Sequence, residues 1–241
     1  MTIHIHNTLP RDDAALGIVR ADGVVAAQVP PGFEATLEAV LTARRAPLSE
    51  ADETVRKAAR DLLRNGRYKP TGRGKPASEY LVRAVQQEGY RFTGVNLRFP
   101  RINAPVDVAN YVSLKTLLPI SLWDLDRAGA AHFRFRLGQP GEAYVFNTAG
   151  QTIKLDDLVV GCRLTDVETD EPIINPVKDS LATKTTDQTR RVAACVYTPL
   201  AVVSPEELAS VCAEFAALLA GCGDAVETAH GVVLPGESIG I

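Results

Sequence analysis

The stretch that decides the fold runs from Arg101 to Asp124, RINAPVDVANYVSLKTLLPISLWD. Asn103 is a favourable N-cap, because its side chain can accept hydrogen bonds from the first free backbone donors of a helix. Apolar residues follow on most sides, which predicts a buried helix. Asp107 and Asn110 lie three residues apart and share one face of that helix. An unpaired buried carboxylate or amide is costly, so these two side chains either hydrogen-bond to nearby backbone or face a pocket.

Length and composition indicate an ordinary globular protein. The chain has 241 residues, of which 46% are hydrophobic and 23% are charged, and its net charge is −3. This length allows one large hydrophobic core. No apolar run is long enough to cross a bilayer and the start lacks the regions of a signal peptide, so a cytoplasmic protein is expected. The four cysteines have no C-x-x-C spacing, which favours buried, reduced thiols, and we expect no metal and no cofactor.

Positive charge is concentrated in one sector of the chain. Between residues 56 and 75 a single acid, Asp61, is outnumbered by lysines and arginines, namely Arg56, Lys57, Arg60, Arg64, Arg67, Lys69, Arg73 and Lys75. Such a sector can attract a polyanion locally even on a protein with a negative net charge. The alternative is a solvated helix face without a partner.

Hydrophobic periodicity and turn signals predict helices before and after a central group of strands. The predicted helices begin after Gly32, Ser49, Ala77, Asn103 and Ser204 and end near Arg45, Gly66, Gly89, Asp124 and Gly221. The predicted strands are two short ones within Ala15–Gln28, then Tyr90–Leu97, Ala131–Leu137, Glu142–Asn147, Thr152–Leu155, Leu158–Thr165, Arg191–Thr198 and Ala225–Leu234. This order favours an α+β fold, with a central mixed or antiparallel sheet and flanking helices. We expect residues 1–65 to form an N-terminal strand and helical extension packed on a main domain of residues 66–241.

The helix after Asn103 also carries a family resemblance. In the editing domain of the phenylalanyl-tRNA synthetase beta subunit, a helix V-V-D-V-T-N-Y-V is followed by G-Q-P-x-H-A-F-D. Here Pro105–Val112 reads PVDVANYV and Leu117–Asp124 reads LLPISLWD. The chain is still more similar to free-standing proteins related to that domain, which carry R-I-N-x-x-V-D-x-x-N-x-V-S-L-K-T. The resemblance extends roughly from Ser78 to Thr198, and it implies the α+β fold of the editing domain.

The same resemblance implies a function. It makes this chain a tRNA-binding protein that hydrolyses mischarged aminoacyl-tRNA in trans, and one that does not charge tRNA, because nothing in the chain resembles the synthetase's catalytic modules. A second stretch supports this reading, since residues 179–189, DSLATKTTDQT, fall where the editing domain has the pocket loop G-G-E-x-S-x-V-x-x-E-T. Without the resemblance, this stretch reads as a Ser/Thr turn that leads into a strand.

Two departures from the family pattern bear on specificity. The editing-domain histidine of H-A-F-D and the glutamate of G-G-E, which help to bind the amino acid and the attacking water, correspond here to Ser121 and Leu181. Leu181 cannot recognise a phenolic hydroxyl, so a different acyl group, smaller or apolar, is expected. Hydrolysis of an aminoacyl ester does not require a side-chain base, because positioning of water and stabilisation of the oxyanion supply much of the acceleration.

The resemblance and the charge pattern together assign roles to three groups of residues. The predicted catalytic residues are Ser121, Asp179, Ser180 and Thr183. The residues predicted to shape the substrate pocket are Asn103, Asp107, Asn110, Ser113, Lys115, Thr185 and Thr186. The residues predicted to bind RNA phosphates are Lys69, Arg73, Lys75, Arg101, Arg134 and Arg136.

The basic loop at residues 67–77, RYKPTGRGKPA, contributes the first three of these cations. It lacks the G-x-x-x-x-G-K-[ST] spacing of a nucleotide-hydrolysing loop. Its charges suit the phosphates of an RNA acceptor end, and Tyr68 or Tyr80 suits stacking on a base. An ordinary exposed loop is the alternative.

Two other functions stay open from the sequence alone. One is a non-catalytic module that binds RNA or a free amino acid, which the loss of the editing histidine and glutamate favours. The other is an unrelated small-molecule enzyme that reuses the pocket. The histidines form no catalytic arrangement, and we expect His4 and His6 in a frayed terminus, His132 facing solvent and His230 on a terminal strand.

Overall fold

Helices and strands are assigned in the computed structural model of the protein, which describes residues 2–87, 99–165 and 169–241. The helices are α1 (Phe33–Arg44), α2 (Glu50–Asp61), α3 (Ala77–Gln87), α4 (Ala104–Thr116), α5 (Leu125–Ala128) and α6 (Pro205–Ala220). The strands are β1 (His4–Asn7), β2 (Ala14–Asp22), β3 (Ile120–Asp124), β4 (His132–Leu137), β5 (Ala143–Val145), β6 (Thr152–Lys154), β7 (Val159–Leu164), β8 (Asp170–Ile174), β9 (Arg191–Pro199), β10 (Glu227–Val233) and β11 (Ser238–Gly240). The strand predicted at Tyr90–Leu97 lies outside the described residues.

Two sheets and a hairpin contain these strands. One sheet has the order β11-β1-β4-β7-β8, the second has the order β10-β2-β9-β3, and β5 pairs with β6. Strands β1 and β4 are parallel, whereas the pairings within the four-stranded sheet are antiparallel. The predicted α+β class with mixed and antiparallel sheets is therefore confirmed.

The four-stranded sheet forms the middle layer of the fold. Successive side chains of a strand point to opposite faces, and along β2 the side chains of Ala15 and Val19 join a core with α4 and α6. Leu16 and Ile18 join a second core with β1, β4, β7 and β8. Both faces of this sheet are therefore buried, which explains why β2 and β9 are mostly apolar, with their charged residues near one end of each strand. The four cysteines are buried and unbridged, as the sequence predicts.

Helix α4 ends earlier than the sequence predicts. The Asn103 side chain accepts a hydrogen bond from the Val106 amide at 3.2 Å, as expected of an N-cap. The helix stops at Thr116, where Leu117 takes a left-handed conformation with φ 63°. Pro119 lacks an amide proton and cannot continue the helix. The prediction of helix up to Asp124 was therefore wrong, because the segment after Pro119 is the edge strand β3.

The N-terminal strands also differ from the prediction. The pair of short strands expected within Ala15–Gln28 is one nine-residue strand, β2, which ends at Asp22 and is followed by Gly23 with φ +92°. The partner of β2 on that side is β10, from the far end of the sequence. Short-range turn signals favour a hairpin at Asp22–Gly23, but this long-range pairing replaces it.

The expectation of a frayed N-terminus was wrong as well. His4 and His6 lie on β1, which pairs with β11 on one side and with β4 on the other. The His4 ring stacks on the ring of His132, with 4.5 Å between centroids. His132 is exposed, and His230 lies on β10, as expected.

The division of the chain at residue 65 stays a prediction. The strands of the first segment are shared with the rest of the chain, because β2 lies between β10 and β9 and β1 lies between β11 and β4. In the described part of the first segment, helices α1 and α2 and the connecting turns lie outside the two sheets.

The N-terminus of α6 gives a direct test of local stabilisation. Ser204 and Glu207 form a reciprocal capping box, in which the Ser204 hydroxyl accepts from the Glu207 amide at 3.2 Å. We expect Ser204→Ala to lower the free energy of unfolding by about 1 kcal/mol, because one backbone donor loses its partner. Ser210→Ala on the same helix removes a bond to its own preceding turn and is the matched control. Equal effects of the two substitutions in urea unfolding would contradict a specific role for the cap.

Candidate functional site

An open cleft between α3 and α4 contains the best-placed polar groups of the predicted pocket. Its volume is about 470 Å³. We call it the α3–α4 cleft, and its lining residues are Arg73, Ala77, Tyr80, Leu81, Pro100, Ile102, Val106, Asn110, Ser113, Ile120, Val177 and Lys178. Its walls are mostly apolar, while two cations and two small polar residues lie among them, a composition typical of small-molecule sites.

Asn110 is the polar group of this cleft that is free to meet a ligand. The residue is half-buried, and within the described part of the chain no hydrogen bond to its side-chain amide occurs. An asparagine amide offers both a donor and an acceptor. Ser113 is different, because its hydroxyl donates to the Leu118 carbonyl at 2.7 Å. The helix therefore presents one unengaged amide to the cleft.

The mouth of the α3–α4 cleft is positively charged. Arg73 is exposed and Lys178 is half-buried, and neither has a carboxylate partner among the described residues. Partial burial lowers the pKa of Lys178, and the nearby positive charges of Arg73 and Lys184 lower it further. Like charges that crowd without counterions favour the binding of an anion.

Arg73 and Lys178 also line a second opening, between the basic loop and the β5–β6 hairpin. We call it the hairpin cleft. Its volume is about 710 Å³, and its lining residues are Tyr68, Arg73, Gly74, Phe146, Gln151, Thr152, Ile153, Lys154 and Lys178. The two clefts are therefore neighbours that share two cations.

A third cleft, between α2 and α3, is less suited to an anion. It is about 630 Å³ in volume and contains five cations and two acids, namely Arg56, Arg60, Arg73, Lys75, Arg83, Glu53 and Glu79. Arg56 and Arg60 both bind the carboxylate of Glu79, and Arg56 also binds Glu53. These pairs neutralise much of the local charge.

The predicted catalytic residue Ser121 is fully buried on β3. Its hydroxyl lies 3.0 Å from the Asn175 carbonyl, to which it donates, and 3.0 Å from the Tyr197 hydroxyl. Asp179 is near it, and its carboxylate accepts hydrogen bonds from the amides of Leu122 and Asn175, each at 3.3 Å. These contacts join the free edge of β3 to the turn that follows β8. Both side chains therefore connect the two sheets.

The carboxyl group of Asp179 is enclosed by protein atoms although the residue keeps some exposed surface. Burial raises its pKa from 3.8 to about 6, while the nearby polar side chain of Ser121 and the hydrogen bonds from the two backbone amides oppose the rise. A pKa of about 6 lies in the range of general bases. It is not, however, among the residues that line the three clefts.

Ser180 and Thr183, the other two predicted catalytic residues, are buried beside a short 3-10 turn. The Ser180 hydroxyl accepts from the Ala182 amide at 3.2 Å, and the Thr183 hydroxyl lies 3.5 Å from the Ile173 carbonyl. Leu181, at the position of the editing glutamate, begins this turn. The structure brings the four predicted residues near one another but gives them protein partners, and their catalytic role stays a prediction.

Two of the predicted substrate residues, Asn103 and Asp107, form hydrogen bonds within the protein near the start of α4. Asn103 donates to the Thr185 hydroxyl at 2.9 Å, so the start of α4 does contact the threonine-rich loop. Asp107 accepts from Arg101 at 2.7 Å and from the Ile102 amide at 2.8 Å, which fastens the chain that enters the helix.

Lys115 and Thr186 lie apart from Asn110. Lys115 forms an ion pair with Glu214 of α6 at 2.7 Å, and the exposed Thr186 accepts from the Gln188 amide. Of the predicted substrate residues, Asn110 and Ser113 are the two that line the α3–α4 cleft.

The predicted RNA-binding residues also divide by their partners. Arg101 is paired with Glu34 and Asp107, and Arg134 is paired with Asp170 at 3.4 Å. Arg136 is paired with both Glu142 and Asp170. In the basic loop, Lys69, Arg73 and Lys75 have no carboxylate partner among the described residues, so they remain available to phosphate.

Two tyrosines hold the basic loop in place. The Tyr68 hydroxyl donates to the Gly74 carbonyl at 2.9 Å, and the Tyr80 hydroxyl donates to the Gly72 carbonyl at 3.0 Å. Burial raises the pKa of Tyr68 to about 12. The two hydrogen bonds therefore anchor the turn on either side of Arg73.

Sequence reasoning did not identify Lys178, Lys154 and Phe146, which line the hairpin cleft. Phe146 and Lys154 lie on two different predicted strands, and Lys178 lies in a separate segment between two others. Only the tertiary fold brings these segments to one opening, so no local signal marks them.

A comparison with known families identifies the domain. A model of the B3/4 domain, which is found in the phenylalanyl-tRNA synthetase beta subunit and related proteins, matches residues 76–207, more than half of the chain. The chain belongs to the B3/4 domain family. The resemblance that the sequence predicts is thereby confirmed, and no curated protein matches the chain.

The B3/4 match covers α3, α4, β3 and the β5–β6 hairpin, and hence most of the residues around the α3–α4 and hairpin clefts. The basic loop up to Lys75 and the strands β1 and β2 precede it. Among the described residues, the B3/4-domain protein has no helix with the length and apolar character of a membrane span.

Proposed function

We propose that the protein binds tRNA and hydrolyses mischarged aminoacyl-tRNA in trans, with the acyl group in the α3–α4 cleft. The observation that carries the proposal is the free amide of Asn110 inside a mostly apolar cleft, beside two cations at its mouth. The B3/4 family suggests nucleic-acid-related partners in general. Because aminoacyl-tRNA is used in the cytoplasm, the proposed substrate implies a cytoplasmic location for the protein.

The cleft suits an acyl group of apolar character. Its walls include the apolar side chains of Leu81, Val106, Ile120 and Val177. Binding of an apolar acyl side chain there is favourable, because it removes apolar surface from water. The Asn110 amide is placed to accept from the α-ammonium group or to donate to the ester carbonyl. Arg73 and Lys178 at the mouth are placed to meet the phosphate of the terminal nucleotide.

The proposed reaction is attack of water on the ester carbonyl. A bond forms between the water oxygen and the carbonyl carbon, and the resulting oxyanion collapses as the bond to the ribose oxygen breaks. The water proton passes to the leaving ribose oxygen, directly or through solvent. Among the described residues that line the cleft there is no carboxylate and no histidine. The proposal therefore relies on positioning of the ester and on stabilisation of the oxyanion by donors and cations.

The same observation favours a second candidate, a non-catalytic module that binds aminoacylated RNA or a free amino acid. A site without an acid or a base can hold its ligand without turning it over. Both candidates use the same cleft, and they differ in whether the ester is cleaved.

A panel of mischarged tRNAs tests the proposal. We expect deacylation to favour small or branched apolar acyl groups over tyrosyl groups. Asn110→Ala should lower kcat/KM by about 10-fold, the value of one hydrogen bond to a charged or reacting group. Arg73→Ala should mainly raise KM, because it removes a phosphate contact. Lys57→Ala, an exposed lysine of α2 that lines none of the three clefts, is the matched control and should change neither.

Two results would decide between the candidates. Absence of deacylation on every tRNA, together with a rise in melting temperature on adding tRNA or an amino acid, would favour the binding module. Absence of both effects would rule out the proposal and its rival together.

A further inference from the structure

The hairpin cleft combines cations with aromatic rings, and no acid occurs among its lining residues in the described part of the chain. Arg73, Lys154 and Lys178 supply the charge, and Phe146 supplies one of the rings. Flexible single-stranded RNA is bound in proteins by such a combination, because cations meet the backbone while bases stack on aromatic faces.

The backbone of Phe146 is held by two hydrogen bonds, and a cation lies over its ring. Its amide donates to the Gln151 carbonyl at 3.0 Å, which closes the hairpin. Its carbonyl accepts from the ammonium group of Lys184 at 2.6 Å. The ammonium group of Lys178 lies 4.1 Å from the ring centroid. The residue is half-exposed, and its anchored backbone limits the conformational entropy that is lost when a base stacks on the ring.

The hairpin is also tied to the segment that lines the α3–α4 cleft. The Tyr144 hydroxyl of β5 donates to the Lys178 carbonyl at 2.7 Å. Lys178 and Arg73 line both clefts, so a ligand that bridges the two openings passes these two cations. An aminoacylated nucleotide is a ligand of this shape, with an acyl group at one end and a phosphate and a base at the other.

We propose that the hairpin cleft binds the 3′-terminal nucleotides of the RNA whose acyl group occupies the α3–α4 cleft. This inference rests on the proposed function. It states that the RNA chain runs from the α3–α4 cleft into the hairpin cleft. Lys154, Arg73 and Lys178 bind the backbone phosphates, and Phe146 stacks on a base. A free nucleotide has the same chemistry, and the experiment below separates the two sources.

The test measures binding of uncharged RNA, so it does not depend on turnover. A fluorescent single-stranded RNA that ends in CCA is titrated with the full-length protein, and anisotropy gives Kd at several salt concentrations. We expect Phe146→Ala to raise Kd roughly 5- to 100-fold, the range found when one stacked base loses its aromatic partner. Phe146→Tyr, which keeps the ring, should retain the affinity of the parent protein.

Salt dependence separates the role of the charge from that of the ring. Lys154→Ala should reduce the slope of log K against log salt by about 0.7, the contribution of one phosphate contact to single-stranded nucleic acid. Phe146→Ala should leave that slope unchanged, and Lys57→Ala should change neither quantity. Melting temperatures of the variants establish that each one is folded.

Each contrary result overturns a different statement. If Phe146→Ala and Lys154→Ala bind the RNA as tightly as the parent protein while the parent deacylates tRNA, the inference is wrong and the proposed function stands. If adenosine monophosphate binds as tightly as the RNA, the hairpin cleft is a site for free nucleotides, and the proposal that the RNA chain enters it is wrong. If the parent protein neither binds the RNA nor deacylates any tRNA, the inference fails together with the proposed function.

Discussion

Replacement of Arg136 by alanine is expected to lower the free energy of unfolding by about 3 kcal/mol, as for other largely buried ion pairs that lose one partner. The Arg136 side chain on β4 is 12% exposed. Its guanidinium donates two parallel hydrogen bonds to Glu142, at 2.7 and 2.9 Å, and further bonds to Asp170. These bonds raise the pKa of Arg136 and hold the pKa of Asp170 below its usual value. The alanine variant leaves Glu142 without this cation, and Asp170 keeps the longer ion pair with Arg134 at 3.4 Å.

Arg73→Ala is the matched control, since it removes the same side chain from an exposed position without a carboxylate partner among the described residues. We expect it to change stability by less than about 0.5 kcal/mol and to weaken RNA binding. Urea unfolding and RNA titration of both variants measure the two effects. If Arg136→Ala keeps its stability and loses RNA affinity, the RNA-binding role predicted from the sequence for Arg136 is correct, and the structural role argued here is wrong.

In the parent protein, ionisation of Asp179 is expected to lower the free energy of unfolding by about 3 kcal/mol between about pH 4 and pH 7. Asp179→Asn is expected to abolish this pH dependence. Burial raises the folded-state pKa of Asp179 to about 6, above the unfolded value. The folded protein therefore binds the proton more tightly than the unfolded chain does, and this contribution to stability is complete below the unfolded pKa. It is lost as the pH rises through the folded pKa. Relative to the parent protein, the asparagine variant should gain stability as the pH rises.

Urea unfolding at about pH 4, 5.5 and 7 measures this dependence. Glu34→Gln is the control of opposite sign, because a hydrogen bond from Arg101 lowers the pKa of Glu34. The stability of that ion pair is lost as the pH falls, and its exposure makes the effect small. A loss of deacylation in Asp179→Asn with no change in the pH dependence of stability would support the catalytic role predicted from the sequence. An unchanged pH dependence alone would show that the ionised carboxylate carries no burial cost.

The parts of the fold that are encoded locally were predicted well. Helix α6 follows from its N-cap serine, its N-terminal proline and its apolar stripe, and β4 follows from the alternation of Phe133 and Phe135 with polar residues. Strand β3 was missed, because a short apolar run after a proline has no period that separates strand from helix. Strands β1 and β11 were missed, because their stability comes from pairing with strands far away in the sequence. Strand β8 pairs with the preceding strand β7, and it was missed because its short segment contains two acids and Pro172, which do not resemble a strand.

The site was predicted in part for the same physical reason. Helical spacing placed Asn110 and Ser113 on one face, and the charge of the basic loop singled out Arg73. Sequence does not show which way Ser121 and Asp179 point, and the fold turns both towards the joint between the two sheets. Alternation correctly placed Arg136 opposite Phe135, but the acids that neutralise it come from other segments, and a sequence pattern does not reveal such pairings.

Two adjacent residues of strand β3 are under different evolutionary constraints. Ile120 contacts the space where the acyl group is proposed to bind, while the next residue, Ser121, belongs to the hydrogen-bonded joint between the sheets. Because neighbouring side chains of a strand point in opposite directions, a change of size at Ile120 reshapes the cavity and leaves that joint intact. Descendants of this protein can therefore diverge in ligand choice at one position while the adjacent position keeps the architecture constant.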